Sequence, residues 1–126
     1  MDKINSFEDL QCWQEARKLN LLIYQITAKF PRAELFTLTS QMRRAAISVS
    51  SNIAEGFVRV SVAEKLRFFN IASGSLAELR SQILLSFDLH YVDRDGLNKT
   101  YIQAELVGKL LTGFAKSIRQ NRQTDF

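Results

Sequence analysis

An all-α fold, a single-domain antiparallel up-down-up-down four-helix bundle over residues 1–126, is predicted by three features of the sequence. Apolar residues recur at intervals of three and four through four long segments, the pattern of helices with one buried face. One Pro and five Gly are few for a protein built from many tight turns. The segments are joined by short links, which make helices antiparallel neighbours. No alternating strand pattern competes with these stripes, and no internal repeat is evident.

The first helix is expected over 7–30. Ser6 and Asp9 resemble a capping box, with Asp in place of the usual Glu. Its stripe is Cys12, Ala16, Leu19, Ile23, Ile26 and Phe30. Pro31 stops it, because a proline disfavours helical geometry at the residue before it. Residues 31–36 read as a connection with room for a short helical turn.

The second helix is expected over 38–57, capped by Thr37 or Thr39. Its stripe, Leu38, Met42, Ala45, Val49, Asn52 and Gly56, is made mostly of small residues, which let helix backbones approach closely. Asn52 on that seam needs a hydrogen-bond partner and would fix register. Gly56 is expected to end the helix in a left-handed conformation.

The third helix is expected over 62–90, opened by a Ser61/Glu64 capping box. Leu66, Phe69, Ala72, Leu76, Leu79, Ile83 and Phe87 form its stripe. Gly74, inside Ala72-Ser73-Gly74-Ser75, costs about 1 kcal/mol against alanine, so close packing there is expected. After a turn at 93–96, the fourth helix is expected over 95–120. Its stripe is Leu97, Tyr101, Ala104, Val107, Leu111, Phe114 and Ile118, and 121–126 should fray.

Composition excludes many activities. A single Cys rules out an internal disulfide framework and cysteine-based zinc sites, and a single His removes most acid–base and metal chemistry. Ferritin-like sites need Glu-x-x-His pairs, whereas His90 has Phe87 three residues earlier. No phosphate-cradling glycine loop is present. Arg80 and His90 are too far apart for a helical-bundle ribonuclease pair, and His90 reads as a cap or surface residue. Cys12 lies on a core stripe and reads as packing. The expectation is no enzyme, no cofactor and no metal. Met1-Asp2-Lys3 does not resemble an export signal, and Leu21-Leu22-Ile23 is far too short to span a bilayer, so a cytoplasmic protein with no membrane partner is expected.

The stretch Leu38-Thr39-Ser40-Gln41-Met42-Arg43-Arg44-Ala45-Ala46-Ile47-Ser48-Val49-Ser50-Ser51-Asn52-Ile53-Ala54-Glu55-Gly56 is far more specific. It resembles the signature of the four-helix-bundle proteins encoded by intervening sequences of bacterial 23S rRNA genes. Phe7-Glu8-Asp9-Leu10 with Trp13, Gln14 and Ala16 matches that family's opening, Phe30-Pro31 the end of its first helix, and Ile71-Ala72-Ser73-Gly74-Ser75 with Glu78-Leu79 its third helix. The likeness runs to about Tyr91. The family is distantly similar to the accessory protein of diversity-generating retroelements. Gly near position 37 and Pro near position 50 are common in it; Thr37 and Ser50 stand here, and Ser50 restores a backbone donor and predicts a straighter second helix. The resemblance implies a ring-like homo-oligomer, often a pentamer, and suggests binding to structured nucleic acid.

The net charge of +4 permits a polyanionic partner. Arg43, Arg59, Lys65 and Arg67 are one candidate contact group for RNA or DNA, and Lys116, Arg119 and Arg122, with Lys109, a second. The competing reading is solvated faces, ion pairs and cations favoured at a helix C-terminus. Gln41, Arg44, Ser48, Asn52, Glu55 and Glu78 read as a structural polar network, with Ser75 and Gln82 facing it. In it, an Arg44–Glu78 bridge would join helices two and three, and Glu55 would meet Lys65 or Arg67. Of the two arginines, Arg43 is the better candidate for an outside ligand. Apolar residues off the stripes, namely Ile47, Phe57, Val58, Val60, Phe68 and Ile71 together with Leu21 and Tyr24, exceed what a small bundle buries and predict an interface between copies of the chain. The rival role is a protein–protein scaffold or an accessory subunit for a nucleic-acid enzyme.

Overall fold

Four helices run alternately up and down: α1 (Gln11–Thr27), α2 (Ser40–Val58), α3 (Val62–Asp88) and α4 (Arg94–Thr124). The computed structural model describes residues 4–124, with side chains described to 121, and the regular structure within them is all helical. Each helix packs on its sequence neighbours, and α4 closes back on α1. The contacts give the antiparallel sense. Thr27 meets Arg43 while Asn20 meets Ser50; Met42 meets Ser86 while Gly56 meets Phe69; Arg80 meets Tyr101 while Phe69 meets Phe114.

The expected first helix divides. Ser6 and Asp9 do form a capping box, with the Asp9 carboxylate accepting from the Asn5 and Ser6 amides, but it opens only the 3-10 turn Phe7–Asp9. Leu10 is then extended (φ −76°, ψ 126°), which lets its side chain enter the core before α1 begins. The helix ends at Thr27, three residues before Phe30, which stays buried against the Tyr91 ring at 5.3 Å.

Neither Thr37 nor Thr39 caps α2. A 3-10 turn, Arg32–Glu34, leads into a π-helical turn, Leu35–Thr39, that continues directly into α2. Thr39 is helical and buried, and the Thr37 hydroxyl donates to the Glu34 carboxylate. The helix then runs unbroken through Ser50, as the absence of proline there predicts. Its buried face is Met42, Ala45, Ala46, Val49, Ile53 and Gly56. Ile53 takes the place expected for Asn52, which sits half-buried one step away and donates to the Ser48 carbonyl and hydroxyl.

Gly56 is not a left-handed stop. It lies inside α2, and no glycine has positive φ. Its role is space: a Cβ there would come within 2.6 Å of Phe69 Cε1. Gly74 is the opposite case, since nothing lies within 4 Å of where its Cβ would be, so the packing expected around it is not present in the subunit.

Ser61 caps α3 as expected, accepting from the Glu64 amide at 3.1 Å. The other end closes on His90, a left-handed residue (φ 63°). The Tyr91 amide donates to Ser86 O and the His90 amide to Phe87 O, the paired bonds of a Schellman ending. The core stripe of α3 holds, with Ser86 buried and Phe87 half-exposed at its end. Asp93 accepts from the Gly96 amide at 2.8 Å and opens α4. In α4 the buried residues are Thr100, Ala104, Val107, Leu111 and Ala115. The helix continues to Thr124, past the point where fraying was expected; residues 125–126 of that tail lie outside the described residues.

Candidate nucleic-acid interface

Helix direction decides where the basic residues meet. Because α4 runs against α3, its C-terminal turns lie beside the start of α3, as the Phe69–Phe114 contact at 5.4 Å shows. The two basic groups, far apart in sequence, therefore share the end of the bundle that carries the α2–α3 link. Arg59, Lys65 and Arg67 come from the link and the first turns of α3, and Lys116 and Arg119 from α4. Between Glu105 and Asp125 the chain carries four basic residues and no acid. The side chain of Arg122 lies outside the described residues.

These cations differ in how much of their charge is free. Lys65 Nζ donates to Phe57 O at 2.6 Å and lies 5.5 Å from the Phe57 ring centre. It thereby satisfies a carbonyl in the last turn of α2, where the helix dipole favours a cation. Partial burial lowers its pKa below the usual lysine value. Arg59 pairs with Glu55 one turn back and lies over Phe68 at 4.8 Å. Arg67, Lys116 and Arg119 are exposed and in no ion pair among the described residues. The Arg67 guanidinium lies 6.0 Å from the Phe68 ring centre.

Arg43 lies elsewhere. Its Nε donates to Thr27 Oγ1 at 2.9 Å, and its guanidinium covers the Tyr24 ring at 4.4 Å. It sits at the C-terminal turn of α1, at the far end from the α2–α3 link. The parts expected of the two arginines are exchanged: Arg43 makes the interhelix contacts, and Arg44 is the exposed one.

Neither predicted ion pair forms among the described residues. Among the described residues the ion pairs are Lys18–Glu15 and Arg59–Glu55. The Arg44–Glu78 bridge is therefore not formed, and Glu55 meets Arg59 instead of Lys65 or Arg67, because Arg59 is one helical turn away on the same face. The polar network itself is real in part. Asn52, Ser48 and Ser75 are linked, with Ser48 Oγ and Ser75 Oγ 2.8 Å apart. Gln82 donates to Glu78. Gln41, Arg44, Ser48, Ser75 and Glu78 line one cavity of about 210 Å³ between α2 and α3.

Of the candidate interface residues, Val60 is 96% exposed and Val58 61% exposed, both at the α2–α3 link. Phe57 and Phe68 are half-buried beneath the cations. Ile47 and Ile71 are exposed along the sides of α2 and α3, as are Leu21 and Tyr24 on α1. Cys12 is buried, and burial raises its thiol pKa to about 11, so it is an unreactive core residue.

Three tertiary contacts had no local signal in the sequence. Tyr91 donates to Glu34 at 2.7 Å, Arg80 donates to the Tyr101 hydroxyl at 3.0 Å, and Gln103 donates to Glu15 O at 2.9 Å. The first joins residues 57 positions apart and the last residues 88 apart, distances at which no periodicity reports pairing.

A family model described as the 23S rRNA-intervening sequence protein matches residues 8–113. The chain belongs to that family. The match begins within the first 3-10 turn and reaches well into α4, so it takes in α1, α2 and α3 whole and the first part of α4. The fold recurs in a crystal structure of a protein of unknown function from the S23 ribosomal protein family of Bacteroides thetaiotaomicron VPI-5482. The TM-score is 0.77 at 20% identity, with 83% of this chain and 95% of that one covered. Among curated proteins, no relative matches the chain. No helix among the described residues is long and apolar enough to cross a membrane.

Proposed function

We propose that this chain is a non-enzymatic bundle that assembles into a ring-like homo-oligomer, five subunits being the favoured number, and binds structured nucleic acid, RNA or DNA, through its basic end. The convergence of Arg59, Arg67, Lys116 and Arg119 at one end carries this reading. Phosphate contacts need flexible or forked cations with donors to spare, and they supply most sequence-independent affinity. Arg67, Lys116 and Arg119 meet that requirement, whereas Lys65 and Arg43 are engaged in capping neighbouring helices. Repetition around a ring adds avidity to sites that are weak singly.

Fluorescence anisotropy of a labelled structured RNA across a salt series tests the reading. Three phosphate contacts per subunit predict a loss of at least about tenfold in affinity between 50 and 200 mM salt. The triple variant Arg67→Glu, Lys116→Glu, Arg119→Glu should abolish binding at an unchanged melting temperature. No binding at low salt, or binding untouched by the triple variant, overturns it.

A second reading, a scaffold or accessory subunit that docks another protein, draws on Val58 and Val60, two exposed aliphatic residues at the same end. A co-purifying protein that survives nuclease treatment and is lost in a Val58→Ser, Val60→Ser variant favours that role.

A further inference from the structure

The cavity between α2 and α3 lies away from the basic end and is lined mainly by polar side chains. Gln41, Arg44 and Ser48 reach it from α2, and Ser75 and Glu78 from α3, with Ala45 as its apolar wall. Opposite charges line one small space, yet Arg44 and Glu78 form no ion pair with each other, and Arg44 makes no hydrogen bond among the described residues. None of its five donors reaches a protein acceptor at hydrogen-bond distance among the described residues.

The hydroxyl protons add a second observation. Ser48 Oγ accepts from Asn52 Nδ2 at 3.0 Å and shares one hydrogen bond with Ser75 Oγ at 2.8 Å. Two serines bring two protons, and the shared bond uses one. If Ser48 donates to Ser75, the Ser75 proton is left over; if Ser75 donates, the Ser48 proton is. Neither hydroxyl donates to a backbone carbonyl, as the Ser86 and Ser117 hydroxyls do. In either arrangement one hydroxyl on the cavity wall has a donor to spare beside the Arg44 guanidinium.

We propose that this α2–α3 cavity is a binding site for a small zwitterion of the α-amino-acid type, its carboxylate held by Arg44 and the spare serine hydroxyl and its ammonium by Glu78. A guanidinium fork matches a carboxylate bidentately. The Glu78 carboxylate would repel a simple anion, and Arg44 would repel a simple cation; a ligand carrying both charges satisfies both walls. The volume of about 210 Å³ holds roughly seven waters at about 30 Å³ each, which limits the ligand to the smallest amino acids. The Gln41 amide supplies a further donor and acceptor at the wall.

NMR titration of the full-length 15N-labelled protein with glycine and with L-serine tests the site. Saturable shifts confined to amides of residues 41–48 and 75–78 are expected, at millimolar concentrations. N-Acetylglycine, which lacks the ammonium, and glycinamide, which lacks the carboxylate, should each bind at least about tenfold more weakly. Arg44→Gln and Glu78→Gln should lose the same factor while keeping wild-type circular dichroism, because both side chains are exposed and bond no core group. Absence of saturable shifts, equal binding of the singly charged analogues, or wild-type affinity in both variants would each overturn the proposal. RNA binding by the basic end is a separate readout of the same samples, so the two readings fail independently.

Discussion

Two glycines show how a single residue's role depends on its surroundings. In a helix interior, replacing Gly by Ala stabilises by about 0.5–1 kcal/mol through backbone entropy alone. At Gly74 nothing opposes that gain, so Gly74→Ala should raise the melting temperature. At Gly56 the new Cβ would meet the buried Phe69 ring at 2.6 and 2.9 Å and Lys65 O at 3.1 Å. Overpacking of this kind costs about 1–3 kcal/mol, so the sign reverses and Gly56→Ala should lower stability by about 1–2 kcal/mol. Thermal melts of the two variants decide the matter; a Gly56→Ala protein more stable than wild type would mean that the Phe69 contact is not close. Left-handed geometry, the use that sequence assigns to Gly56, falls to His90 instead. Histidine tolerates it at a helix end where the Schellman bonds to Ser86 and Phe87 hold the backbone.

At the scale of elements, the α1–α2 connection is held by Glu34. Its carboxylate accepts from the Thr37 hydroxyl within the connection and from the Tyr91 hydroxyl just after α3, tying the two links at that end of the bundle together. The Thr37 bond, then the Tyr91 bond, hold the Glu34 carboxyl below its ordinary 4.5. The Glu34 carboxylate in turn holds the Tyr91 phenol above its ordinary 10.0. A carboxyl lowered on folding gives stability present above its unfolded value and lost as pH falls through its folded value. A phenol raised on folding gives stability present below 10.0 and lost as pH rises through its folded value. The melting-temperature gap between wild type and Glu34→Gln should therefore be level through neutral pH and close below about pH 4.5. Melts from about pH 3 to 8 check it, and a gap that persists at the acid end would mean that the charge of Glu34 contributes nothing. Both groups are only partly buried and water screens the bond between them, so the effect is small.

For the whole molecule, the exposed apolar side chains on the flanks bear on assembly. Ile47 is 44% exposed and Ile71 41% exposed, on the flanks of α2 and α3. A ring of subunits would bury such flanks, since aliphatic side chains gain about 25 cal/mol for each Å² removed from water. Light scattering should give a mass near five times 14.4 kDa for the wild type. The Ile47→Glu, Ile71→Glu double variant should give single subunits that keep their helical circular dichroism. A monomeric wild type would remove the avidity on which the nucleic-acid reading relies, and would leave Arg67, Lys116 and Arg119 as isolated surface charges.

The sequence by itself determined the four helices, their antiparallel order, most of the core and the family, because hydrophobic periodicity, caps and a long motif are local properties carried by neighbouring residues. Ser61 and Asp93 sit where helices open, and Leu19, Val49, Leu79 and Val107 are buried as their stripes predict. The tertiary structure decided what each charged or small residue does. It set Arg43 against Tyr24, gave Glu55 to Arg59, parted Arg44 from Glu78 across a cavity, and brought α4 cations beside those of α3. Charged side chains are long and reach any of several partners at nearly equal free energy, so their pairing follows the rotation and level of each helix. Those are fixed only when the whole core packs, as with the Phe69 ring lying on Gly56.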